Sequence, residues 1–338
     1  GLPIVHLNLL GYDEQAHRRG PESAFAHWTL KGIDRAIRVI WFAAQRSHTR
    51  DYDVWIYSDH GQESTTPYED SQHRTIEETV AQLMLGIPPN KQGVAGANPA
   101  APTSDRARWI SKGPLARRLF ASRSTTTGRR KKTFMVVANG PIGLVYLPAE
   151  TSEDAVRTLA KRLSAEGGCP LVFVSHGDTQ VCAYRSGREY LLPNDAPEVF
   201  GAHHPFLEDI VQDTIKLVRH PDCGELVISG WKKEGRSLSF PAQHGAHAGP
   251  GPEETRAFVV IPADAPLPIT EREYLRPSDL RCAVQDFFGG NSRPQQRQGR
   301  KSPGVSHGLR VMTHHAGLSW HGQPSSAAAT CVRNRTGE

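Results

Sequence analysis

Two short apolar runs flank a long segment with helical periodicity, and this alternation constrains the fold more than any other feature. Residues 3–10 and 51–58 each read as a buried strand. Between them, Pro21 and Ser23 open a segment whose apolar positions recur at spacings of three and four, namely Ile33, Ala36, Ile37, Ile40, Trp41 and Ala44. A strand, helix, strand unit predicts an α/β fold with a mainly parallel central sheet flanked by helices.

The rest of the chain alternates short strand and helix patterns. We predict helices at residues 75–85, 152–165 and 206–218, and strands at 133–147 (two strands about a Gly turn), 171–174, 179–184, 189–192, 225–229 and 256–262. The block 133–200 reads as a small α+β cap inserted in the main sheet. The predicted organisation is a core with metal-ligand loops at 1–85, a flexible basic insertion at 86–132, the cap at 133–200, a return to the core at 201–290 and a disordered tail at 291–338.

Composition excludes several classes of protein. With 338 residues, of which 38% are hydrophobic and 22% charged, the chain is long enough for one large core or two modest ones. It contains no apolar run of about 18 residues that could span a bilayer. The five cysteines lack close pairs and CxxC spacing, so we expect neither a disulfide framework nor cysteine-bound zinc. None of this decides the cellular compartment.

The net charge of +5 is concentrated in one segment, because Arg and Lys crowd residues 106–132. Such a segment serves either as a nucleic-acid surface or as a solvated insertion. It is rich in Ser, Thr, Gly and Pro and poor in aromatic residues, which favours the insertion. We therefore do not expect a nucleic-acid partner, although that class of function stays open as a third hypothesis.

Two aspartates and three histidines in separate short stretches are the candidate site. Asp13 and His17 follow the first apolar run, Asp59 and His60 follow the second, and His247 lies in a Gly-rich turn. Each stretch alone is explained by a helix cap, a strand cap or an exposed loop. Carboxylate and imidazole groups on separate loops are, however, how proteins hold a pair of divalent ions for phosphoryl chemistry.

At these residues the chain resembles the alkaline phosphatase superfamily, and within it the branch of type I phosphodiesterases and nucleotide pyrophosphatases. The resemblance covers roughly residues 3–75 and 133–265, is specific at the five candidate ligands and is loose elsewhere. It implies that one metal is held by Asp13, His17 and His247, and a second by Asp59 and His60. His244 is the alternative to His247; the small residue after His247 favours His247. The implied ions are zinc, with manganese as the alternative.

The resemblance also implies an activity and exposes a gap. Family members attack a phosphate ester, such as a nucleotide or another phosphodiester, with a Ser or Thr nucleophile that precedes the first Asp and His ligands. Only twelve residues precede Asp13, and they contain no Asp, Ser or Thr. We therefore expect no catalytic nucleophile in this chain, which reads as an N-terminally truncated domain.

Two hypotheses follow from that gap. The chain is either part of a metal-dependent phosphate-ester hydrolase or a catalytically silent remnant that keeps the fold and one ion. Mutase and phosphoethanolamine transferase chemistry stay open as lower-ranked alternatives, because metal ligands are shared across the superfamily. Arg18, Arg19 and Lys232 are candidates to contact phosphate, and a surface role explains each equally well.

Overall fold

A six-stranded antiparallel sheet is the largest sheet in the computed structural model, which describes residues 1–86, 134–289 and 309–312. Its spatial order is β3-β4-β8-β5-β6-β7, and every neighbouring pair is antiparallel. The strands are β3 (Met135–Asn139), β4 (Ile142–Tyr146), β5 (Leu171–His176), β6 (Gln180–Arg185), β7 (Arg188–Leu192) and β8 (Leu226–Ser229).

Helices cover both faces of this sheet, as the alternation of side chains along each strand requires. On one face Val172 and Ile228 pack with α4 (Ile76–Met84) and α5 (Glu153–Ala165). On the other face Phe173 and Val227 pack with α6 (Ala196–Phe200) and α7 (Leu207–Val218). The result is a three-layer arrangement with two separate hydrophobic clusters.

The predicted mainly parallel α/β sheet is wrong, because short turns join three of the strand pairs. β3 and β4 meet across Gly140, β5 and β6 across Gly177, and β6 and β7 across Ser186 and Gly187. A turn of two or three residues can join only antiparallel strands, whereas parallel strands need a long crossover. The fold is therefore α+β. Since β8 lies between β4 and β5, the boundary drawn at residue 200 does not separate two sheets.

The N-terminal apolar run does not form the predicted strand. Residues 1–9 carry no helix or strand, and Leu2, Ile4 and Leu7 are exposed. This segment contacts residues 50–57 through side chains, for example Tyr52 Oη donating to the Leu2 carbonyl, instead of through a backbone ladder. An isolated strand without ladder partners is not stable, so its apolar pattern alone could not make one.

Helix α1 (Gly11–Arg19) takes the place of the predicted loop after that run, and helix α2 (Ala24–Gln45) follows it. The helix begins at the predicted place, and Ser23 caps it, with the Ser23 hydroxyl accepting a bond from the Ala26 amide at 3.2 Å. The predicted inner positions of α2 are partly buried, whereas Trp28 and Val39 are exposed. The predicted second strand is reduced to β1 (Ile56–Tyr57).

Two small sheets connect the N-terminal helices to the second half of the chain. One has the order β1-β11-β12, where β11 is Val259–Pro262 and β12 is Leu309–Met312. The other has the order β10-β2-β9, formed by β2 (Glu63–Pro67), β9 (Ser237–Ser239) and β10 (Gly245–Ala246). The remaining helices are α3 (Tyr68–Gln72), α8 (Pro252–Thr255) and α9 (Pro277–Gly289).

Several predictions from local pattern are confirmed, within one to three residues at their ends. They include α4, α5, α7 and the strands from β3 to β8. In the structure Thr75 caps α4 and Ser152 caps α5. The basic insertion falls almost wholly outside the described residues, as does most of the predicted tail. Residues 309–312 of that tail form β12. No helix in the described ranges has both the length and the apolar character to cross a bilayer.

Candidate metal centre

Asp13 and His17 lie on the same face of α1, because residues four apart are neighbours on a helix. His17 Nε2 is 3.3 Å from Asp13 Oδ1. The prediction placed this pair in a loop at the end of a strand; a helix instead fixes both backbones. The pair is therefore rigidly spaced.

Strand β10 packs against α1 and places His247 next to this helix. The carbonyl of Gly245 is 2.7 Å from His17 Nδ1, across 228 residues of sequence, and the His244 amide donates to the His17 carbonyl at 2.8 Å. A Cβ built on Gly245 would lie 2.5 Å from the Ala16 carbonyl oxygen, so only glycine allows β10 to pack this closely. His247 follows at once, with its Nε2 3.7 Å from Asp13 Oδ1.

The donor atoms of Asp13, His17 and His247 converge. One ligand atom of each lies within 4.8 Å of the others. The Gly245 carbonyl can only accept a hydrogen bond, so His17 keeps a proton on Nδ1. When His17 is neutral, its Nε2 lone pair faces the cluster; when it is protonated, Nε2 donates to Asp13 instead. A carboxylate oxygen and two imidazole nitrogens form a donor set suited to zinc. The residues present thus fit a divalent ion.

His60 and Asp59 lie beside this cluster but do not complete a second one. The His60 ring stacks on the His247 ring, with centroids 3.5 Å apart, and its Nδ1 is 2.7 Å from the Gly61 carbonyl. His60 Nε2 is 3.6 Å from Asp59 Oδ1, and that aspartate is largely exposed. Among the described residues, no third carboxylate, imidazole or thiol joins this pair within metal-binding distance.

The protonation of the cluster follows from its contacts. Burial favours the neutral form of Asp13, but the hydrogen bond and charge of His17 outweigh it and hold the pKa of Asp13 below its usual value. Burial likewise opposes the charge of His17, yet the bond with Asp13 raises the pKa of His17. Burial, together with the neighbouring His60 and His17, lowers the pKa of His247 to about 4. His247 is therefore a neutral imidazole with a free lone pair at neutral pH.

Glu254, which sequence reasoning missed, links the loop that carries His60 to the loop that carries His247. Its carboxylate accepts the Gly249 amide at 2.7 Å and the Gly251 amide at 2.9 Å, just after His247. Its carbonyl accepts the Gly61 amide at 2.8 Å, just after His60. The run Gly-Pro-Glu-Glu at 251–254, with Pro first and Glu third in a helical turn, is a capping signature that could have identified it.

Gln62 is the second residue that sequence reasoning missed. Its Nε2 donates to Asp13 Oδ1 at 3.4 Å, while its Oε1 is buried with no hydrogen-bond partner in the described part of the chain. An amide next to a candidate ligand orients that carboxylate. In the sequence, only its position two residues after His60 could have suggested that Gln62 belongs to the site.

The other candidates lie elsewhere. The His244 side chain is exposed and does not join the cluster. Arg18 and Arg19 are exposed on α1, where Arg19 lies over the Phe25 ring. Lys232 is partly buried near β9. None of these lines the cleft described next.

A cleft of about 560 Å³ opens beside the cluster. Asp59, His60 and His247 are among the residues that line it. Its walls come from the α7 face of the large sheet, α7 itself, the chain after β10 and the segment before α9. A concave, mostly apolar site of this size with a few convergent polar groups is typical of small-molecule binding.

Comparison with known proteins assigns no family, since the chain matches no protein-family model and no curated protein.

Replacing Gly245 with alanine should destabilise the protein by about 1–3 kcal/mol, because the new methyl group forces β10 away from α1. Gly32→Ala is the matched control: it lies in α2 with open space around it and should raise helix stability by up to about 1 kcal/mol. Urea unfolding midpoints measure both. A Gly245→Ala variant as stable as wild type would contradict the close packing.

Glu254→Gln should reduce the loss of stability that accompanies rising pH. Burial and the facing Glu63 carboxylate raise the pKa of Glu254 from 4.5 to about 8. The folded state therefore holds a proton that the unfolded state lacks between these values, and the stability it contributes is lost as pH rises towards 8. Glutamine has no ionisable group in this range, so the variant lacks this pH-dependent contribution to stability.

Urea midpoints at pH 5.5 and 8.5 test this, with Glu253→Gln as the control at an exposed neighbour. We expect the midpoint of Glu254→Gln to fall less than that of wild type or of the control. An unchanged fall in Glu254→Gln would show that this carboxyl is not the source.

Proposed function

We propose that the chain binds a divalent metal ion, most simply zinc, through Asp13, His17 and His247, and that the ion serves hydrolysis of phosphate esters. The observation that carries the proposal is the convergence of these three donors from a helix and a strand end 230 residues apart in sequence. A salt bridge between two of them would not require the third. The resemblance to the alkaline phosphatase superfamily supplies the reaction class.

The chain's own residues prepare this site for a cation. Asp13 contributes a negative charge held ionised by His17, and His247 contributes a neutral imidazole. The backbone carbonyls of Gly245 and Gly61 orient the rings of His17 and His60. A divalent ion bound there would stabilise negative charge on a phosphoryl group and lower the pKa of a coordinated hydroxyl or water.

Asp59 and His60 are proposed to hold a second ion, as the resemblance implies, but with only two protein donors. This incompleteness is the observation that favours the alternative function, a silent remnant that retains one ion. The two candidates differ in metal stoichiometry and in turnover.

The proposed substrate is a small phosphate ester such as a nucleotide or another phosphodiester. The cleft is large enough for a small organic group and too small for a duplex. We do not propose a nucleic-acid partner, since the basic segment at 106–132 is rich in Ser, Thr, Gly and Pro and poor in the aromatic residues that stack on bases.

His247→Ala should lower zinc affinity at least 100-fold, because it removes one of three donors. His244→Ala is the matched control, three residues away on the same segment, and should bind zinc like wild type. Competition with a chromophoric chelator measures affinity, and elemental analysis after gel filtration measures stoichiometry. Asp13→Ala should behave like His247→Ala.

Equal zinc affinity in His247→Ala and wild type would refute the metal centre. Hydrolysis of bis(p-nitrophenyl) phosphate then separates the two candidates. Zinc-dependent turnover that is lost in Asp59→Ala supports the hydrolase. One bound zinc with no turnover supports the remnant.

A further inference from the structure

The cleft has an apolar interior. Ile142, Phe173 and Val227 present the α7 face of three adjacent strands, β4, β5 and β8, and Phe206 and Ile210 continue the apolar surface onto α7. On the facing side the wall includes Phe258, Leu275 and Leu280. These apolar residues are not needed to hold a metal ion, so they point to a further role for the cleft.

The charged side chains of the cleft near α7 are paired with one another. Arg276 forms ion pairs with both Asp209 and Asp213, and the Tyr274 hydroxyl also donates to Asp209. Because these carboxylates are already paired, the part of the cleft near α7 offers little to a charged or strongly polar ligand. It suits an uncharged, apolar group.

Arg256 supplies the other positive charge among the cleft-lining residues. Asp59, His60 and His247 also line the cleft and connect it to the cluster of candidate metal donors, where His247 is neutral. The Arg256 side chain pairs with Glu253 at 3.1 Å, but that carboxylate is exposed and such surface pairs are weak. The guanidinium can therefore turn to an anion in the cleft at little cost.

We propose that this cleft selects phosphate esters with an apolar aryl or alkyl group, which lies between α7 and the chain before β11 while the phosphate lies beside His60, His247 and Arg256. The inference rests on the proposed function, because it places the phosphate beside these residues. To the proposed function it adds a substrate class: the site prefers a phosphate ester with an apolar organic group to one with a polar organic group.

Direct binding of two non-hydrolysable phosphonates tests the proposal without turnover. 1-Naphthylphosphonate and methylphosphonate share the anionic head and differ in the apolar group. We expect the zinc-loaded full chain to bind the naphthyl compound at least tenfold more tightly by isothermal titration, since its rings leave water for the cleft. Equal affinities would overturn the inference.

A double variant locates the binding. Leu217 on α7 and Phe258 on the opposite wall both line the cleft and are exposed, so Leu217→Gln with Phe258→Ser should fold. It should lose at least fivefold in naphthylphosphonate affinity. The control makes the same two changes at exposed residues of α2 outside the cleft, Leu30→Gln with Phe42→Ser, and should keep wild-type affinity. Equal losses in both variants would overturn the assignment to the cleft.

Removing zinc separates this inference from the proposed function. Zinc could raise the affinity of the protein for both phosphonates equally, with the naphthyl group adding nothing. That result would keep the proposed function and overturn the apolar preference. Alternatively, the protein could bind naphthylphosphonate more tightly, lose this preference in the cleft variant, and show the same affinities with and without zinc. That result would support the apolar site and contradict the proposed function.

Discussion

The close packing of β10 on α1 is the contact on which the candidate site depends. Gly245 brings the backbone of the second half of the chain against Ala16, and its carbonyl orients the ring of His17. The same two-residue strand pairs with β2, which follows the Asp59 and His60 loop. The three segments that carry the candidate ligands therefore meet around one short strand. Without that packing, Asp13 and His17 would remain an ordinary helix-surface pair.

Buried polar contacts then hold the meeting point in place. Glu254 accepts amides after His247 and, through its carbonyl, the amide after His60, so it links two loops that carry imidazoles. Its partner Glu63 lies on β2 and accepts a bond from Ser237 at 3.0 Å. Two neighbouring carboxyls in a buried position are costly to ionise together. Their raised pKa values make the stability of this region depend on pH, independently of the histidines.

Local signals in the sequence predicted much of the secondary structure and less of the fold. The helices that follow Thr75 and Ser152 and the hairpin at Gly140 were predicted because periodicity and turn residues are short-range signals. The strands were predicted to be mainly parallel, which is wrong. An apolar pattern predicts a buried strand but not which neighbouring strand it pairs with, or in which direction. The run at residues 3–10 shows the limit: it has the composition of a buried strand and lies exposed.

The five candidate ligands were identified from the sequence only through the order of their motifs. The structure brings Asp13, His17 and His247 together and places His60 against His247, while Asp59 stays at the rim. Glu254 carries a capping signature, but Gln62 and Gly245 could not be ranked beforehand, because their roles depend on which groups lie within reach after folding. Such contacts have no signature in spacing alone.

Zinc K-edge X-ray absorption on the protein loaded with one equivalent of zinc tests the central claim most directly. The account predicts nitrogen and oxygen ligands at about 2.0–2.2 Å with the outer-shell scattering of two imidazoles. A sulfur shell at about 2.3 Å, or a shell without imidazole scattering, would place the ion away from Asp13, His17 and His247 and contradict the account.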